Sequence, residues 1–164
     1  MGEIMIKKIA TGLLAVAATG AVALSMPAAA SATTTSNGFD YSDTWGSVYA
    51  KHHLAKAKGW IGVKWDEHQQ SNTAYVSGRL YDLDQRTYGQ GGKCAYVKFQ
   101  AADFHHDWDD VYARKFCGYP GYKKFSFDVD DVSAVRVKVC QIHPHKHWVT
   151  KCGHWEYLYA AEAE

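Results

Sequence analysis

The chain has 164 residues with 18 Lys and Arg against 17 Asp and Glu, so bulk charge gives it no handle on nucleic acid or any other polyelectrolyte. Charged residues at 21% and hydrophobic ones at 47% are ordinary for a globular domain and exclude a disordered or fibrous chain.

The first segment reads as an export signal. Lys7 and Lys8 precede an uncharged run from Ile9 to Leu24, and small residues follow through Ala28, Ala30 and Ala32. This order predicts a secretory signal peptide over 1–32, cleaved before Thr33, with Ala28-x-Ala30 as the next candidate site. The apolar run of about 16 residues is shorter than the roughly 20 that cross a bilayer, and after cleavage no membrane partner is expected. Taking away 1–32 removes Lys7, Lys8 and Glu3; of the remaining 132 residues (164 less 32), 16 are basic and 16 acidic. All 23 aromatic residues (6 Trp, 11 Tyr, 6 Phe) lie there, about 17% of them, which is a heavy ring load for one small domain.

Residues 33–43, beginning Thr-Thr-Thr-Ser-Asn-Gly, read as a flexible leader, with order beginning near Trp45 and the folded domain spanning 44–160. Between Trp45 and Gly59 the pattern fits either a helical face or a first strand over 47–50. From Gly59 onward the period is two. Strands are expected at 60–65, 75–81, 94–99, 111–116, around Phe125 and Phe127, and at 135–139, where Val135, Val137 and Val139 share one face and Arg136 and Lys138 the other. Short alternating strands separated by Gly-rich breaks at 89–92 and 118–121 predict an all-β, single-domain antiparallel β-sandwich. The break Gly89-Gln90-Gly91-Gly92-Lys93 follows a strand and precedes another, so it reads as a hairpin connection rather than a phosphate loop. The tail 161–164 should fray.

Four cysteines, Cys94, Cys117, Cys140 and Cys152, permit three disulfide pairings in an oxidising compartment. Cys94–Cys117 and Cys140–Cys152 each bracket two strand-like runs, which favours local pairing. The absence of a Cys-x-x-Cys pair argues against zinc on the four sulfurs.

Trp45-Gly46 with Tyr49, Ala55-Lys56-Ala57-Lys58-Gly59, Val76-Ser77-Gly78-Arg79-Leu80-Tyr81-Asp82, Cys94-Ala95 and Val135-Arg136-Val137-Lys138-Val139-Cys140 together resemble segments of small exported proteins of Gram-positive, particularly actinobacterial, bacteria. The resemblance implies an exported, disulfide-bonded sandwich and transfers no functional residues.

Three constellations carry possible chemistry. His143, His145 and His147 alternate, which on an extended strand sets three imidazoles about 6.6 Å apart on one side, a spacing that can chelate Zn²⁺ or Cu²⁺. If Cys140 faces Cys152 in a regular ladder, His143 faces Val149 and the turn centres on Lys146, so that His145 and His147 sit in a solvated hairpin tip. Asp107, Asp109 and Asp110, with His105 and His106, form an acidic stretch read as a loop; it suits Ca²⁺ or acid-base hydrolysis, or simply turn formation. Trp108, Trp148 and Trp155 are placed in or near loops and the last hairpin, where ring faces can receive a sugar or a partner side chain.

No Gly-x-Ser-x-Gly elbow and no His-Glu-x-x-His motif occurs, and the basic pairs Arg114-Lys115 and Lys123-Lys124 are too few for nucleic acid. The expectation is a secreted, extracellular, non-catalytic protein that binds a cell-wall carbohydrate or another extracellular macromolecule. A His-based metal-binding protein is the alternative, and a small hydrolase built on Asp107 and Asp109 ranks third.

Overall fold

A computed structural model describes residues 38–161. The expected signal peptide, its cleavage site, the first part of the leader and the last three residues lie outside them. Among the described residues ten strands form: β1 (Tyr41–Asp43), β2 (Val48–Tyr49), β3 (Ala55–Trp65), β4 (Asn72–Asp82), β5 (Cys94–Ala102), β6 (Trp108–Phe116), β7 (Tyr122–Asp130), β8 (Ala134–Ile142), β9 (Val149–Thr150) and β10 (Glu156–Ala160). Single 3₁₀ turns occupy Lys51–His53 and Tyr88–Gln90, and no α-helix occurs among the described residues. One sheet runs β1-β3-β4-β7 with β2 also on β3; the other runs β10-β8-β5-β6 with β9 also on β8, and every pairing is antiparallel.

The two sheets pack because their central strands β3, β4, β5 and β8 present alternate apolar residues inward. Ala57, Ile61 and Val63 on β3 and Val76 and Leu80 on β4 meet Val97 and Phe99 on β5 and Val135, Val137 and Val139 on β8, all fully buried. Each Val, Ile, Leu or Phe among them contributes about 1.5–3 kcal/mol of burial free energy. The predicted sandwich is therefore the observed one. Its two staples are Cys94–Cys117 and Cys140–Cys152, with none of the four cysteines left free. Disulfides of this kind suit an oxidising compartment. Among the described residues no helix is long and apolar enough to cross a membrane.

The structure corrects five expectations. The leader is not flexible throughout, since Tyr41–Asp43 pairs with Ile61–Val63. The Asp40 N–H donates to Val63 O at 2.9 Å, the Tyr41 hydroxyl donates to Leu158 O at 3.0 Å, and Phe39 packs edge-on against Trp60. A polar composition concealed two anchoring rings, Phe39 and Tyr41. At the other end Ala161 is tied rather than frayed, its N–H donating to Ser133 O at 2.7 Å.

The Gly89–Gly92 break is not a hairpin. It carries the chain from β4 in the first sheet to β5 in the second, and Gly118–Gly121 returns it from β6 to β7. Buried carboxylates hold both crossovers. Asp84 accepts from Arg86 Nε and Nη2, each at 2.8 Å, from the Lys93 N–H at 3.1 Å and from Gln141 Nε2 at 3.0 Å, while Asp82 accepts the Gly118 N–H at 3.0 Å.

The acidic stretch is not all loop, because β6 begins at Trp108 and includes Asp109 and Asp110. A bulge hides the strand: Phe99 faces Tyr112 but Gln100 faces Asp110, so Val111 is the extra residue and the polar-apolar alternation breaks there.

The last hairpin has a different register from the regular ladder expected. Gly153 N–H bonds Val139 O, but Gln141 faces Thr150 and Ile142 faces Val149. Lys151, with φ 51°, absorbs the one-residue shift, so that His143 faces Trp148 instead of Val149.

Candidate functional site

The residues first singled out separate into distinct places. His143 and His145 lie edge-on to the Tyr88 ring, at 5.6 and 4.7 Å, and the His145 N–H donates to His143 Nδ1 at 3.3 Å. Burial lowers the His143 pKa, and the cations of Lys146, His145, Lys93 and Lys115 lower it further. His147 has no part in that cluster. Trp148 at the same tip is 67% exposed, with the Lys146 ammonium 4.6 Å from its ring centre. Among the described residues no three His, Cys, Asp or Glu side chains are grouped to hold a metal ion.

Asp109 and Asp110 are consecutive in a strand and so project to opposite faces. Asp110 is paired with Lys98 at 2.7 Å and bonded by Gln100 Nε2 at 2.8 Å, contacts that hold its pKa below the usual range. Asp103 shapes the preceding turn, accepting the N–H groups of His105 and Asp107 at 2.8 and 3.0 Å, and Asp107 is exposed beside it.

Trp108 and Trp155 do come together. The Arg136 guanidinium lies between them, 3.8 Å from one ring centre and 4.6 Å from the other, with Lys138 4.3 Å from Trp155 and Tyr157 edge-on to Trp108. The protein's own cations thus cover those ring faces, forming a closed ladder on the outside of the second sheet.

The open site lies on the first sheet, where the sequence reading placed none. A cleft of about 690 Å³ is lined by Thr44, Trp45 and Phe125 and by residues of three neighbouring strands. Register builds it in rows. Lys58 faces Arg79, which faces Lys124; Trp60 faces Ser77, which faces Ser126; Gly59 faces Gly78, which faces Phe125. Alternation sends the first two rows outward, since their neighbours Ala57, Ile61, Val76 and Leu80 are buried. The third row points inward, and its two glycines leave space for core rings. A Cβ on Gly59 would stand 2.7 Å from Trp45 Cζ2, and one on Gly78 would stand 2.6 Å from Phe125 Cζ. The pair lets Trp45 and Phe125 press against the backbone from inside, their ring centres 6.3 Å apart.

On the outer face the cation heads are arranged by tyrosines. Arg79 lies 4.9 Å over Tyr122, and Lys56 and Lys58 lie 4.6 and 6.0 Å over Tyr81. Trp45, only 5% exposed, keeps a buried Nε1 donor with no acceptor among the described residues. The cleft thus offers three cations, three hydroxyls (Thr44, Ser77 and Ser126) and two indoles (Trp45 and Trp60), and among the described residues no carboxylate lines it.

Compared with protein-family models, curated proteins and solved structures, the chain matches none. The site must be read from its own chemistry.

Sequence reasoning missed Lys58, Arg79, Lys124, Trp60, Ser77 and Ser126 because each is unremarkable alone. The available signal was alternation, which sets Lys56, Lys58 and Trp60 outward on one strand and Ser77, Arg79 and Tyr81 outward on the next. A second recess of about 540 Å³, lined by His52, His53, His154 and Glu156 beside Cys152, was also passed over.

Proposed function

We propose that the protein is exported and acts outside the cell by binding carbohydrate in the cleft on its first sheet, without catalysing a reaction. The observation that carries this reading is the row Trp60–Ser77–Ser126 beside the row Lys58–Arg79–Lys124 in one concave site. An indole packs against the C–H face of a sugar, serine hydroxyls exchange hydrogen bonds with its hydroxyls, and fixed cations orient it. Support for export comes from the basic, apolar and small-residue order of 1–32 and from two disulfides in a domain of modest size.

The test is retention on insoluble cell-wall polysaccharide. Wild type and Trp108→Ala are expected to be retained alike, and Trp60→Ala to be released, with thermal unfolding confirming that each variant is folded. Equal retention of Trp60→Ala overturns the cleft reading, and loss on Trp108→Ala alone transfers the role to the Trp108–Arg136–Trp155 ladder.

A further inference from the structure

Lys58, Arg79 and Lys124 stand abreast on three adjacent strands. With strands about 4.8 Å apart, their Cα atoms span about 10 Å across the sheet. Like charges directly opposite one another in a ladder destabilise it, and a sheet surface ordinarily relieves them with interleaved acids. None is supplied here. The ion pairs among the described residues are Arg86–Asp84 and Lys98–Asp110, and neither involves this row. The next outward carboxylate on β7, Asp128, is four residues from Lys124, about 13 Å along the strand. In a chain whose overall charge is close to balanced, the row is a local segregation of charge.

We infer that the ligand of the cleft is a linear anionic polysaccharide whose acid groups lie across Lys58, Arg79 and Lys124 while its sugar rings meet Trp60, Ser77 and Ser126. This rests on the carbohydrate reading above and names the class of glycan. Charge complementarity supplies the argument: three unpaired cations recognise carboxylate or sulfate groups, and Arg79 can hold one bidentately. Single-stranded nucleic acid has the charge but asks for open aromatic faces on which successive bases stack. Here Lys56 covers Tyr81 and Arg79 covers Tyr122, which leaves no series of open rings beside the cations. An acidic polypeptide has the charge but no hydroxyl-bearing ring for the serine row.

Titration calorimetry on the oxidised protein with polygalacturonate, dextran sulfate, neutral dextran, polyglutamate and oligothymidylate decides the matter. Both anionic glycans are expected to bind at least about tenfold more tightly than dextran, and to weaken as salt rises from about 50 to about 200 mM. Arg79→Gln and Lys124→Gln should each weaken that binding about threefold to tenfold, while Lys138→Gln on the far sheet leaves it unchanged. Dextran binding as tightly as the anionic glycans, or indifference to both glutamine variants, overturns the anionic assignment and leaves the carbohydrate reading standing. Binding of no glycan removes both. Polyglutamate or oligothymidylate binding as tightly as the anionic glycans replaces the assignment with a general polyanion site.

Discussion

Gly59 and Gly78 face each other across β3 and β4, and a Cβ on Gly59 would stand 2.8 Å from Gly78 Cα and 2.0 Å from Ser77 O. Backbone cannot yield as a side chain can. The pair joins core to cleft, because the rings of Trp45 and Phe125 fill what the missing side chains leave, directly beneath the cation row.

Gly59→Ala should therefore destabilise the fold by about 2–3 kcal/mol through overpacking, measured by denaturant unfolding. Gly46→Ala is the comparison: nothing lies within 4 Å of its Cβ position, so its stability should stay close to wild type.

Lys124 stands beside Arg79 with no acid facing it. Lys124→Gln is expected to leave thermal stability unchanged or raise it by up to about 0.5 kcal/mol, since it removes a like-charge neighbour. The gain should shrink as salt screens the row. A clear loss of stability would show that Lys124 has a structural role.

Asp84 fixes the crossover from β4 to β5 with bonds from Arg86, Lys93 and Gln141. Arg86 is partly exposed, so solvent screens the ion pair and the bonds from Lys93 and Gln141 carry much of the effect. Asp84→Ala should cost about 3 kcal/mol. The hydrogen bonds from Arg86, with those from Lys93 and Gln141, hold the Asp84 pKa far below the usual carboxylate range. Its contribution to stability is thus present above the unfolded value of about 3.9 and is lost as pH falls below it. Burial raises the Asp82 pKa, so that residue favours the fold when protonated and its contribution is lost as pH rises past about 3.9. Thermal midpoints taken from pH 6 down to pH 2 should fall in wild type and flatten in Asp84→Ala.

The Asn72 side chain, at the start of β4, holds the turn between β7 and β8. Its Nδ2 donates to Val132 O at 2.9 Å and its Oδ1 accepts the Val132 N–H at 2.8 Å, both buried. Asn72→Ala leaves two backbone groups unpaired and should cost about 2–4 kcal/mol by denaturant unfolding.

What the sequence disclosed was local. Alternation at Val135, Val137 and Val139 marked β8 and its buried face, and cysteines bracketing adjacent strand runs pointed to both disulfides. Features that depend on a single irregular residue stayed hidden: the bulge at Val111 turned Trp108–Asp110 from apparent loop into strand, and Lys151 moved His143 off its expected partner. Hidden too was anything requiring long-range register. Lys58, Arg79 and Lys124 become neighbours only when three strands separated by two stretches of chain are laid side by side, and alternation within one strand says nothing of which strand lies next to it.

On the carbohydrate reading, the outer face of the first sheet is the binding surface. Backbone amide shifts recorded by NMR during titration with a soluble cell-wall polysaccharide test this most directly. They should move at Lys58, Trp60, Ser77, Arg79, Lys124 and Ser126, with β6 and β8 left still; movement concentrated instead at Trp108, Arg136 and Trp155 would contradict it.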